Sequence, residues 1–115
     1  MELLLSSEQG HDCTIVAVTG DLDLSTSHQL RRRLQTAIEE GARQVVVDLG
    51  GVGFMDSSAL GMLVVTFKQL RNLGGRLCLA APRGITRTVI EITAVDKAID
   101  VYDTVAEAEA SAAGR

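Results

Sequence analysis

The sequence predicts one small α/β domain: a mixed sheet of four to five strands, opened by an amino-terminal hairpin and packed by about four helices. Three observations carry that prediction. Strand-like apolar runs alternate with segments of helical period from Val45 onward, which calls for right-handed crossovers and hence parallel strands. Two strand-like runs near the amino terminus flank a polar turn that contains Gly10. The 115 residues, 46% apolar with a single proline, suffice for one core and not two. Aromatics are only 3%, so Val, Leu, Ile and Ala must fill that core.

The elements follow in order. Residues 3–5 read as a short first strand, 6–12 as a turn and 14–19 as a second strand. Residues 20–24, Gly-Asp-Leu-Asp-Leu, read as a loop, after which Thr26 and Gln29 match the S/T-x-x-E/Q pattern of a capping box. Leu30, Leu34, Ala37 and Ile38 recur at helical spacing until Gly41. Residues 44–49 form a continuous apolar run, the mark of a strand buried on both faces. A second helix is expected from near Ser57, with Leu60, Leu63, Val64, Phe67 and Leu70 inward, and Gly74-Gly75 ends it.

Arg76–Ala80 is the next strand, and Ile85, Val89 and Ile92 outline a short third helix. Residues 99–102 suggest a last strand. Thr104 and Glu107 then offer a second capping box before an alanine-rich helix, fraying over about 111–115. The domain is expected to span 1–115.

Composition narrows the function. A net charge of −4 disfavours nucleic acid or an anionic membrane as partner. Arg31-Arg32-Arg33 is the only basic run, and on a helix it fans around a solvated turn. The first ten residues lack a positive n-region, and no run reaches the roughly 18 apolar residues of a span. A cytoplasmic protein without membrane insertion is therefore expected, with Cys13 and Cys78 as buried thiols.

Enzyme signatures are missing. Gly50-Gly51-Val52-Gly53 lacks the Gly-Lys-Ser/Thr of a phosphate loop, the serines lack the G-x-S-x-G frame, and His11 and His28 form no HExxH pair. No catalytic activity and no cofactor are expected. Asp21, Asp23, Asp48 and Asp56 could gather around a divalent cation, but aspartates that start turns and helices account for them better.

Attention falls on Phe54-Met55-Asp56-Ser57-Ser58-Ala59-Leu60-Gly61. Asp56 or Ser57 at an N-cap would bind otherwise unpaired amides, worth about 1 kcal/mol. Capping does not require three such residues in a row. A hydroxyl at a helix start points outward, where a kinase reaches it. A phosphate there adds roughly −1.5 to −2 charges, which the helix dipole tolerates.

The stretch from Val45 to Ala80, preceded by Val-Thr-Gly-Asp-Leu-Asp-Leu-Ser-Thr-Ser (18–27), resembles the STAS family, and within it bacterial anti-sigma factor antagonists. The most specific residues are Asp48-Leu49, Phe54-Met55-Asp56-Ser57-Ser58 and Leu60-Gly61; Gly20-Asp21-Leu22-Asp23 is a second match. The resemblance implies a partner switch. Unphosphorylated, such a protein binds an anti-sigma factor that is also a serine kinase, and so releases the sigma factor. Phosphorylation of Ser57 ends that binding, and a metal-dependent serine phosphatase restores it.

Ser58 would support the cap or act as a secondary acceptor. Asp21, Asp23, Asp56, Ser57, Ser58 and Leu60 would meet the partner. Ala59 stands where many members carry Gly. A free-standing chain argues against a transporter tail, and the alternative that stays open is a docking subunit of a membrane lipid-transport ATPase.

Overall fold

The computed structural model describes residues 3–113. Five strands lie in the order β1 (Leu4–Gly10), β2 (Cys13–Leu22), β3 (Gln44–Met55), β4 (Arg76–Ala80) and β5 (Val101–Tyr102). β1 pairs antiparallel with β2, and every later pair is parallel. Four helices connect or follow them: α1 (Ser27–Glu39), α2 (Ser57–Asn72), α3 (Gly84–Ile92) and α4 (Val105–Ala113). The expected mixed α/β sheet with its amino-terminal hairpin is thus present.

Side-chain alternation along the strands divides the core in two. Val16, Val18, Val45, Val47, Leu49, Leu77 and Leu79 point to the face covered by α1, α2 and α3, where they meet Leu30, Leu34, Leu60, Leu63, Leu70 and Ile90. Each such side chain, fully buried, contributes roughly 1.5–3 kcal/mol. Cys13, Ile15, Val46, Cys78 and Ala80 point to the other face, against Ala108 and Ala112 of α4. Both cysteines are buried, and burial, followed by Glu109 and Asp12, pushes the Cys13 thiol above its ordinary range.

Several boundaries differ from expectation. Residues 6–10, expected as a turn, continue β1, and only His11 and Asp12 turn the hairpin. Asp12 takes the left-handed conformation, with φ 61°, that such a tight reversal demands. Residues 20–22, expected as loop, extend β2 because β3 itself continues to Met55 and offers partners as far as Leu22. Gly51 makes that close pairing possible: a Cβ there would lie 2.9 Å from the Val18 carbonyl oxygen.

The helix stripe of Ile85, Val89 and Ile92 is rotated by one residue. Thr86 and Ile90 are buried, whereas Ile85 and Ile92 are 53% and 78% exposed. Thr86 is drawn inward by the Val52 carbonyl, which accepts its hydroxyl at 3.4 Å. The last strand keeps only Val101–Tyr102, yet Ile99 is buried in the core. Residues 111–113, expected to fray, stay helical: Ala112 is buried and Ser111 bonds the Tyr102 hydroxyl at 2.6 Å. Residues 114–115 lie outside the described part. Among the described residues no helix is long and apolar enough to cross a membrane.

Parallel strands bring the carboxyl ends of β2, β3 and β4 to one end of the sheet, together with the amino ends of α1, α2 and α3. β3 pairs with β4 only as far as Asp48↔Ala80, but with β2 as far as Leu22↔Met55. The two longest strands therefore overshoot the rest, and their tips carry the two helix starts described next.

Candidate functional site

The β2 and β3 tips are tied together before either helix begins. Asp21 is in register with Phe54 and Leu22 with Met55, and the Asp56 amide donates to the Leu22 carbonyl at 3.0 Å. Asp56 then leaves the strand in extended conformation and caps α2. Its Oδ1 accepts the Ser58 amide at 3.0 Å, the Ala59 amide at 3.1 Å and the Ser58 hydroxyl at 2.6 Å. Its Oδ2 accepts the Leu24 amide at 3.1 Å, from the other junction. The Ser58 hydroxyl, opposed by some desolvation and aided by these amides, holds the Asp56 carboxyl below its ordinary value.

Asp23 repeats the device. Its Oδ1 accepts the Ser25 hydroxyl at 2.7 Å, the Ser25 amide at 2.9 Å and the Thr26 amide at 3.2 Å. The Ser25 hydroxyl is the first cause that lowers its carboxyl as well. The buried Thr26 hydroxyl donates to the Asp21 carbonyl at 2.7 Å and accepts the Asp23 amide at 3.0 Å. That use of Thr26 cancels the capping box expected with Gln29: Thr26 makes no side-chain cap, and the Gln29 side-chain oxygen accepts the Leu3 amide at 3.0 Å. The second box does bind, since the Glu107 amide donates to the Thr104 hydroxyl at 3.1 Å.

The two serines of α2 differ. Ser58 is half-buried and spends its hydroxyl on Asp56. Ser57, the first residue of α2, is exposed, and its hydroxyl makes no hydrogen bond among the described residues. One carboxylate thus reaches past Ser57 on both sides and leaves it facing outward.

Of the other residues named from sequence, Asp21 lies in the same tip, its Oδ1 3.5 Å from where a Gly53 Cβ would stand. Asp48 does not join them; it lies between Ala17 and Ala80 and accepts the Gly50 amide at 2.9 Å. Leu60 requires a correction. Three positions after Ser57 it falls on the sheet side of α2, only 3% exposed, so it supports the site from beneath and presents no surface to a partner.

Sequence reasoning missed Leu24, which stands 79% exposed beside Asp56, and the roles of Ser25 and Thr26. The signal was there: Asp23-Leu24-Ser25 and Asp56-Ser57-Ser58 share the spacing Asp-x-Ser. It also left Gly61 unexplained. A glycine inside a helix costs about 1 kcal/mol relative to Ala.

Comparison with known proteins places these residues in context. The family model described as STAS domain matches residues 5–108. An anti-sigma F factor antagonist of Paenibacillus polymyxa is 27% identical over 104 residues, covering 90% of this chain and 89% of that protein. An anti-sigma factor antagonist from Mycobacterium paratuberculosis superposes with a TM-score of 0.87 at 25% identity, over 96% of this chain and 93% of that one. The Bacillus protein SpoIIAA, an anti-sigma factor antagonist, is similar in fold at 24% identity. Its unphosphorylated form gives a TM-score of 0.80 over 97% of this chain and 98% of that one. Its phosphorylated form gives 0.65 over 85% and 90%.

Proposed function

We propose that this chain, which belongs to the STAS domain family, is an anti-sigma factor antagonist switched by phosphate on Ser57. The observation that carries the reading is the contrast at the head of α2: Asp56 and Ser58 are consumed by the cap, while Ser57 is exposed with an uncommitted hydroxyl. The names of the relatives support the antagonist role.

In the unphosphorylated state the strand tips and α2 dock on an anti-sigma factor that is also a serine kinase, and the sigma factor is released. Phosphorylation forms a bond between Ser57 Oγ and the γ-phosphorus of ATP as the bond to ADP breaks; the hydroxyl proton leaves to a base of the kinase. The product carries roughly −1.5 to −2 additional charges. Because Asp56 already occupies the Ser58 and Ala59 amides, the phosphate cannot take those two donors at the helix start. It stays on the surface beside a carboxylate, where it opposes docking by bulk and charge. Hydrolysis by a metal-dependent serine phosphatase restores the hydroxyl.

Incubation with an anti-sigma factor serine kinase and ATP, followed by phosphopeptide mapping, tests the switch. Phosphate on Ser57, its disappearance in Ser57→Ala and loss of binding in Ser57→Asp are expected. An unmodified protein, or a Ser57→Asp variant that binds like the parent, overturns the reading. Co-purification of the native chain with a membrane transport ATPase in place of a kinase would do the same.

A further inference from the structure

Gly61 has no role inside the fold. It lies within α2, its φ is not positive, and a Cβ at that position would meet nothing within 4 Å. Neither backbone conformation nor space requires a glycine there, although any other residue favours the helix more. Its neighbours on the helix show what it faces. Helical spacing sets Ser57, Gly61, Val65 and Lys68 on one outward lane, all exposed, opposite the buried Ala59, Leu60, Leu63, Thr66 and Leu70. Val65 is 67% exposed.

Beside that lane runs α1, joined to α2 by the paired amides of Gln35 and Gln69 at 2.7 and 2.9 Å. Arg31 and Arg32 of α1 are exposed, and among the described residues neither they nor Lys68 pairs with a carboxylate. α2 contains no Asp or Glu, and α1 contains none before Glu39. On a chain of net charge −4 this face is a basic island. The adjoining strand tips, with Asp21, Asp23 and Asp56, are acidic. A surface so divided orients whatever binds it.

We propose that the anti-sigma factor lays an acidic helix across the α1–α2 face, passing nearest to α2 at Gly61. The inference rests on the antagonist reading above and names the chemistry of its partner. The missing Cβ lets a crossing backbone come closer than two ordinary helix surfaces allow. Carboxylates of the crossing helix meet Arg31, Arg32 and Lys68. Ser57, one turn before Gly61 on the same lane, places its phosphate against that acidic helix, so attraction becomes like-charge repulsion.

Isothermal titration of the full chain with purified anti-sigma factors of the source genome tests this. For the factor that binds the parent, Gly61→Leu should weaken affinity by about 10- to 100-fold, since an inserted side chain overpacks a close contact. Gly61→Ala should weaken it less, and both variants should keep or raise the Tm, because the site has room and the helix gains propensity. Arg32→Glu combined with Lys68→Glu should weaken binding by about tenfold or more at low salt, with a smaller loss at high salt. Parent-like affinity in Gly61→Leu overturns the crossing. Loss in Gly61→Leu with none on charge reversal overturns the acidic occupant. If the parent binds no anti-sigma factor at all, the antagonist reading itself fails and this inference falls with it.

Discussion

At the tip of β2, Asp23 gathers the amide and hydroxyl of Ser25 and the amide of Thr26. At the tip of β3, Asp56 gathers the amide and hydroxyl of Ser58 and the amide of Ala59. Both carboxylates reach over one intervening residue and turn it outward. In the first junction that residue is Leu24, in the second Ser57. The device needs an aspartate and a serine two positions later; it makes no demand on the residue between, as an exposed leucine demonstrates. Hence the fold accounts for Asp56 and Ser58 and makes no use of the exposed Ser57 hydroxyl. The junctions differ in reach as well: Asp56 caps a helix directly and also holds the Leu24 amide, so it ties both junctions together.

That asymmetry sets the order of effects on stability. Asp56→Ala strands the Ser58, Ala59 and Leu24 amides at once, and should cost about 1–2 kcal/mol in urea denaturation. Asp23→Ala should destabilise less, and a larger loss there would reverse the ranking of the two turns.

The acid limb of stability sharpens the same comparison. Both carboxyls sit below their ordinary value of 3.8 in the folded chain. The unfolded chain therefore takes up these protons first as pH falls. The stabilisation is fully present above about pH 3.8 and is lost as pH drops further, through the folded values. In Asp56→Asn this share of the acid destabilisation should vanish, so the urea midpoint should fall less steeply than in the parent from about pH 4 downward. Equal slopes would show that the folded Asp56 holds its proton as the unfolded chain does.

The smallest effects separate the serines. Ser58→Ala removes one hydrogen bond of a half-buried hydroxyl while the Asp56 carboxylate keeps its amide donors, and should cost about 0.5–1.5 kcal/mol. Ser57→Ala should stay within about 0.5 kcal/mol of the parent, as surface changes do. Comparable losses in both would mean that Ser57 also holds the fold.

Much of the architecture was readable from local pattern. Arg76–Ala80 and the start of α2 at Ser57 fall where apolar period and glycine stops put them, because these signals act within a few residues. The candidate site was only half readable. Asp56 and the serines stand out by composition, but Leu60 looks the same on paper whichever way α2 faces. Thr26 shows the limit of motif reading: its hydroxyl went to Asp21 and Asp23, which the strand tip delivers, and not to the amide of its own helix.

The amino-acid order settled which segments become strands and helices, through short-range spacing of aliphatic side chains and turn residues. Assembly settled the rest. Residues 20–22 became strand because β3 ran alongside them, Ile85 and Ile92 were turned outward as Thr86 found the Val52 carbonyl, and Ser57 was separated from Ser58 by a carboxylate bridging two junctions. The first two outcomes depend on a partner tens of residues away, whose position exists only once the sheet has formed; in the third the Asp-x-Ser contact is local and only the tie to the Leu24 amide is long-range.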